Sequence, residues 1–354
     1  MSDSLAHGGP SEDAEAAVQK DPVPAPAASV VRDPGESAQD VPTSVVGDPA
    51  ESAQDVPRSV VRDPADRSPL SARLLVLSAA LLFSTGGAAI KAATFNPWQV
   101  ASFRSGIAAL AILLLVPEAR RNWRWRYAPI ALAYALTLLF FVGATKLTTA
   151  ANAIFLQSAS PLFVLLIGPL LLKESIRRSD LLLMAGVACG MALFFSGRDV
   201  AAATAPNPAA GNILGALSAV TYAFTLTGLR WTERGHASGG VSAGMITVLM
   251  GNLTACALAL PMALPVAVWR WQDTLVILWL GVFQIGLAYL CLTRGVRRVP
   301  AFEATTLLLL EPALNPVWTW FVHGERPGAL ALTGGAIILA STLLNSWWQS
   351  RGSK

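Results

Sequence analysis

From Arg73 onward the chain alternates long apolar stretches with short polar ones, and each stretch approaches the length of a membrane crossing. A helix needs roughly 20 apolar residues to span a hydrocarbon core of ~30 Å. Within lipid every backbone group must pair inside the segment, so such stretches are helices. The pattern predicts ten of them, over residues 74–93, 98–116, 127–143, 150–172, 181–196, 212–229, 241–264, 274–293, 302–322 and 329–347. Lys146 and the Thr148-Thr149 pair separate the third from the fourth, and the polar run 198–211 separates the fifth from the sixth.

Composition agrees with a polytopic membrane protein. Hydrophobic residues make up 53% of the chain and charged residues 14%, against about 25% charged in soluble domains; mean hydropathy is +0.51. The first 70 residues differ from the rest. They are acidic, rich in Pro and Ala, and carry a repeat that starts at Ser29, again at Ser44 and again at Ser59. Recurring Asp-Pro and Val-Pro steps block helix, and little apolar surface is available for a core, so residues 1–70 read as a disordered tail. The tail has no continuous apolar stretch of the secretory type, which leaves the first helix as the targeting signal.

Lys and Arg fall unevenly on the two sides that ten spans define. One side receives Arg67 and Arg73, the cluster Arg120, Arg121, Arg124 and Arg126, then Lys173, Arg177, Arg178, Arg230, Arg234, Arg294, Arg297, Arg298 and Arg351. The other side receives Lys91, Lys146, Arg198, Arg270 and Arg326. Short loops rich in positive charge stay in the cytoplasm, so both termini are expected there, in a multi-pass protein of the cell (inner or plasma) membrane. Trp98, Trp123, Trp125, Trp231, Trp269, Trp271, Trp347 and Trp348 lie near predicted helix ends, as an interfacial belt requires.

The chain also repeats itself. Ser158–Glu174 reads SASPLFVLLIGPLLLKE and Leu309–Glu325 reads LLEPALNPVWTWFVHGE, each with a proline thirteen residues before a glutamate. Pro161 aligns with Pro312 and Glu174 with Glu325 at one constant offset, which also puts Asn152 on Glu303 and Ser160 on Glu311. Five helices per half is odd, so the second copy enters the membrane from the opposite side. The expected fold is all-α and integral to the membrane: ten transmembrane helices as two inverted five-helix repeats, residues 71–197 and 212–348, joined by an extracytoplasmic linker, 198–211, and followed by a cytoplasmic tail, 349–354. Inverted repeats place a substrate site at their interface near the membrane midplane.

With Arg104 in the second helix, the SASP…LLKE and LLEP…HGE helices, and two five-helix halves, the chain resembles the EamA-type members of the drug/metabolite transporter superfamily. The resemblance covers about Arg73 to Trp348. It implies a ten-helix transporter, often an exporter of amino acids or other small metabolites. The first copy has Lys173 where the family commonly has Gly.

Candidate site residues follow from polar groups in apolar helices. A charge at mid-membrane costs about 2.5 kcal/mol or more and marks function by default. Glu311, near the centre of the ninth helix and followed by Pro312 and Pro316, is either a neutral carboxyl bonded between helices or a substrate ligand and proton carrier. Arg104 either snorkels to the interface or binds a carboxylate through its planar guanidinium. Asn152, Gln157 and Ser160 share a broad face of the fourth helix, with Tyr222 in the sixth and Gln284 in the eighth at similar depth. Each alone is more often a helix–helix hydrogen-bond partner worth ~0.6 kcal/mol. Glu303 reads as interfacial, and Pro161, Gly168, Pro169, Pro312 and Pro316 are expected to bend their helices.

Other motifs lead away from catalysis. Gly240–Gly244 matches G-x-S-x-G but opens a membrane helix instead of a strand-to-helix elbow. Cys189, Cys256 and Cys291 are scattered without metal spacing, His7, His236 and His323 lie in the tail or near helix ends, and no phosphate-binding loop is present. Gly186 and Gly190 form a G-x-x-x-G seam, either within the chain or between two copies of a homodimer. The expectation is therefore not an enzyme but a secondary active transporter moving a small polar metabolite, an amino acid or related compound, outward by alternating access. No cofactor or metal is expected. The expected partners are that substrate and the lipid bilayer, with a proton as candidate coupling ion and no nucleic acid. The alternative is a non-transporting scaffold or sensor that acts through the N-terminal tail.

Overall fold

A computed structural model describes residues 69–121, 123–172, 178–196, 203–233 and 243–352. Among them every regular element is helical. The order is α1 (Pro69–Ser84), α2 (Gly86–Ala92), α3 (Pro97–Leu115), α4 (Ala128–Leu147), α5 (Ala150–Gln157), α6 (Ser160–Leu172), α7 (Arg178–Ser196), α8 (Pro208–Glu233) and α9 (Ala243–Ala263). Then come α10 (Trp271–Leu278), a π-helical segment (Trp279–Leu287), α11 (Ala288–Gly295), α12 (Ala301–Leu308), α13 (Leu310–His323) and α14 (Ala329–Gly352). Among the described residues, each of the ten predicted stretches falls largely on helix. Eight helical stretches among the described residues are long and apolar enough to cross a membrane; α7 is shorter, and α12–α13 is not one of the eight.

The outer faces of these helices are apolar. Leu114, Leu170, Leu182, Trp320 and Phe321 are all exposed, which a water-facing surface would not tolerate on this scale. A helix apolar all round belongs in lipid, and the chain is a multi-pass membrane protein. Trp98, Trp123, Trp125, Trp269, Trp271 and Trp348 are exposed near helix ends.

Inside the bundle, α4 packs on α8 and α9, α3 on α9, α1 on α11, and α7 on α14. Small residues allow the closest approaches. A Cβ on Gly190 would stand 2.7 Å from the Gly334 carbonyl oxygen, and one on Gly186 would meet Ser341. The G-x-x-x-G seam is thus occupied within the chain, by α14.

Four predicted helices are interrupted, for local reasons. The break between α5 and α6 falls just before Pro161, and that between α12 and α13 just before Pro312. Proline has no N–H to give and its ring crowds the carbonyl four residues back. Pro169 and Pro316, by contrast, lie inside helices that continue. Between α1 and α2, Ser84 and Thr85 turn their hydroxyls onto the Leu81 and Leu82 carbonyls at 2.7 Å each. The fourth interruption is the π segment, where an i→i+5 pattern shifts the helix face. At the far end of α13, Gly324 adopts φ 64°, which closes the helix and turns Glu325 back into the bundle. Lys173 and Glu174 of the first copy lie outside the described residues, as do residues 1–68, 197–202 and the Gly240–Ser242 part of the G-x-S-x-G match.

Candidate functional site

The interrupted helices surround one cavity of about 380 Å³. Six of the seven sequence-derived candidates line it: Arg104, Gln157, Ser160, Tyr222, Gln284 and Glu311. They come from α3, α5, α6, α8, the π segment and α13, so both halves of the chain contribute. Gln157 and Ser160 flank the α5–α6 break, and Glu311 opens α13 directly after the α12–α13 break. Each proline-directed break therefore presents a polar side chain to the same space.

Asn152 is not among the lining residues. Its amide donates to Thr148 Oγ1 at 3.3 Å and to Asn212 Oδ1 at 3.1 Å, and Asn212 in turn donates to the Phe194 carbonyl at 3.2 Å. This network ties α5 to α7 and α8 and is a packing device. Glu303 is also elsewhere, half-buried at a helix start and 2.5 Å from Arg73 Nε.

Arg104 is only 2% exposed, so its guanidinium does not reach the interface. The Nε and Nη1 atoms have no hydrogen-bond partner among the described residues. Gly281 of the π segment lets α3 approach at this point: a Cβ there would stand 2.9 Å from the Arg104 carbonyl oxygen and 2.5 Å from Ile107 Cγ2. Glu311 is partly exposed to the cavity it lines. The ion pairs Arg73–Glu303 and Lys91–Glu325 involve neither Arg104 nor Glu311. One cavity therefore holds a cation on one wall and a carboxyl on another, with no ion pair between them.

Between them stands an aromatic wall that the sequence reading missed. Tyr134 and Tyr289 line the cavity, with ring centroids 5.9 Å apart, and Phe83 meets Tyr289 edge-on at 5.1 Å. Asn252 donates to Tyr134 Oη at 3.5 Å, and a Cβ on Gly251 would stand 2.4 Å from Tyr134 Cδ1, so the ring lies flush on α9. A signal was available. The chain has only 4 tyrosines, and three of them sit in mid-helix instead of at the interface where membrane tyrosines concentrate.

Chemically, the site can hold an anionic group at Arg104, accept a hydrogen bond or cation at Glu311, and stack apolar or aromatic surface on the tyrosines. Among the described residues no three His, Cys, Asp or Glu side chains cluster in a way that would hold a metal ion. The three cysteines are free thiols.

Comparison with known proteins gives a consistent picture. The EamA-like transporter family matches residues 70–196 and 209–347. The pseudopaline exporter CntI of Pseudomonas aeruginosa is 27% identical over 289 residues, which is 77% of this chain and 95% of that protein, in both strain UCBPP-PA14 and strain PAO1. A solved crystal structure shares the fold with a TM-score of 0.54 at 20% identity, covering 80% of this chain and 99% of that one. The chain belongs to the EamA-like transporter family, and it is a membrane transporter.

Proposed function

We propose that this member of the EamA-like transporter family is a secondary active exporter of a small polar metabolite that carries both an anionic and a cationic group, such as an amino acid or a related compound. The observation that carries the reading is the pair of opposite, mutually unpaired charges, Arg104 and Glu311, on the walls of one cavity. A substrate carboxylate answers the guanidinium in a two-bond contact, and an ammonium answers Glu311. Neither residue is compensated by the protein, so the substrate supplies what desolvation removes. Export is supported by the likeness to a protein described as a pseudopaline exporter.

In this reading the bundle crosses the membrane ten times as two inverted five-helix repeats, 71–197 and 212–348, with both termini in the cytoplasm. Supporting it are the matched breaks before Pro161 and Pro312 and the segregation of Lys and Arg between the two sides. The bundle rocks around the cavity, whose interrupted helices supply the give, and Glu311 couples flux to a proton or to a cationic substrate group. Gln157, Ser160, Tyr222 and Gln284 complete the lining.

The test is a metabolite-wide comparison of efflux and uptake in cells with and without the protein, repeated with Arg104→Lys. One class of zwitterionic metabolite should leave faster when the wild-type protein is present. Arg104→Lys should lose about tenfold or more in apparent affinity, because an ammonium cannot reproduce the planar two-bond contact. Undiminished affinity at normal surface expression would remove Arg104 from the site.

A further inference from the structure

Away from the cavity, Lys91 and Glu325 form a buried ion pair, Nζ to Oε1 at 3.0 Å, with side chains only 4% and 3% exposed. Lys91 also donates to the Thr148 carbonyl at 2.9 Å and to the Thr204 carbonyl. Glu325 Oε2 accepts from the Ala150 N–H at 3.0 Å. One charge pair thus joins α2, the α4–α5 junction, the segment before α8 and the end of α13. Around it, Lys146 donates to the Ala93 carbonyl at 2.6 Å, Thr94 gives both its N–H and its hydroxyl to Asp273 at 2.6 Å, and Gln99 reaches the Ala263 carbonyl at 3.1 Å.

All these contacts lie at one end of the bundle. Toward the other end the cavity lining extends to Leu292 and Thr305, each two residues from a charged position, exposed Arg294 and half-buried Glu303. The cavity lining therefore runs toward the Arg-rich end, and these contacts tie the helices together at the Lys91 end.

We propose that the Lys91–Glu325 pair is a latch that holds the Lys91 end of the cavity closed and parts when the transporter opens on that side. This rests on the transporter reading above. Three features of the geometry favour a latch over a fixed brace. First, a buried ion pair adds little net stability, because desolvation offsets its attraction; once water enters, both charges are hydrated and separation becomes easy. Second, Lys91 sits on a helix of seven residues, set off from α1 by the break at Thr85, so it can tilt independently. Third, α13 begins with Glu311 in the cavity wall and ends beside Glu325 in the latch. A substrate engaged at one end of α13 can thereby bias the contact at the other. The partners also come from the two separate regions that match the family, 70–196 and 209–347, as a contact between moving halves requires.

The experiment follows access directly. Ser160→Cys, in a chain whose Cys189, Cys256 and Cys291 are replaced by Ala, gives one thiol in the cavity. A charged, membrane-impermeant methanethiosulfonate is applied to sealed vesicles on the side that carries Thr204. Lys91→Met/Glu325→Gln removes both charges together and leaves no unpaired charge. Its labelling from that side should be about tenfold faster than with the pair intact, and exchanging the charges, Lys91→Glu/Glu325→Lys, should return it toward the original rate. A folded, monodisperse neutral variant that labels at the original rate overturns the latch. Should that variant not accumulate, Glu325→Asp decides, since it keeps the charge but shortens the reach: faster labelling supports the latch, and an unchanged rate refutes it. The transporter reading fails separately, if no metabolite moves with the wild-type protein. Metabolite flux with labelling unmoved by the variants sinks the latch alone.

Discussion

At the scale of single residues, the informative positions are charges that an apolar helix should not contain. Glu311 is the sharpest case. Glu311→Gln keeps shape and hydrogen-bonding capacity but removes the negative charge and the titration. If the carboxyl couples transport, this variant reaches the membrane, stays folded, and loses the pH dependence of flux measured over the range where the wild-type rate varies. Unaltered pH-dependent flux would return Glu311 to a packing role, for which Glu311→Ala should lower thermal stability instead. Charges such as Arg104 and Glu311 were legible in the sequence because their cost in lipid is a property of one residue and its depth. Lys91 with Glu325, and Tyr134 with Tyr289, were not. Their meaning lies in a partner far along the chain, and nothing in local pattern specifies that partner. Asn152 shows the converse. Its helix face and depth suited the cavity, but it does not line it, and its Nδ2 donates to neighbouring Thr148 and Asn212.

Elements were legible as far as hydropathy and proline reach. Predicted helix limits stand within a few residues of α3, α7, α9 and the start of α14, because charges and prolines bound the apolar runs. The breaks before Pro161 and Pro312 follow from proline chemistry, whereas the π segment and the turn at Thr85 depend on what packs against them. Trp279 and Trp318 donate to Thr85 Oγ1 and Ser84 Oγ at 3.1 and 2.9 Å, holding that turn from outside. The α7–α14 contact offers a test at this scale. Gly190 meets Gly334 nearly backbone to backbone, so Gly190→Leu should cost about 1–3 kcal/mol by overpacking. The readout is a lower unfolding midpoint in detergent. Cys189→Leu, at the exposed neighbouring residue, should leave the midpoint nearly unchanged. Equal midpoints for the two variants would mean that α7 and α14 do not pack closely in the membrane.

For the whole molecule the governing question is which way the ends face. Thr204 touches Lys91, so the segment before α8 shares an end of the bundle with the Lys91–Glu325 pair. α3 starts near that end at Asn96, where a capping box with Gln99 fixes its first turn, and runs the other way toward Arg120 and Arg124. In the proposed topology, which rests on the distribution of Lys and Arg, the Arg124 end is cytoplasmic and the Thr204 end faces out. A cysteine at Pro206, which is exposed, should therefore react with an impermeant thiol reagent applied to intact cells, in a chain lacking Cys189, Cys256 and Cys291. A cysteine at exposed Arg124 should react only after the membrane is opened. Reaction of both from outside would put two opposite ends of the bundle on one face, and the inverted-repeat arrangement would fall with it. Reaction of Arg124→Cys alone would instead keep the bundle and reverse its orientation, turning the latched end toward the cytoplasm and the proposed exporter into a protein caught open to the outside.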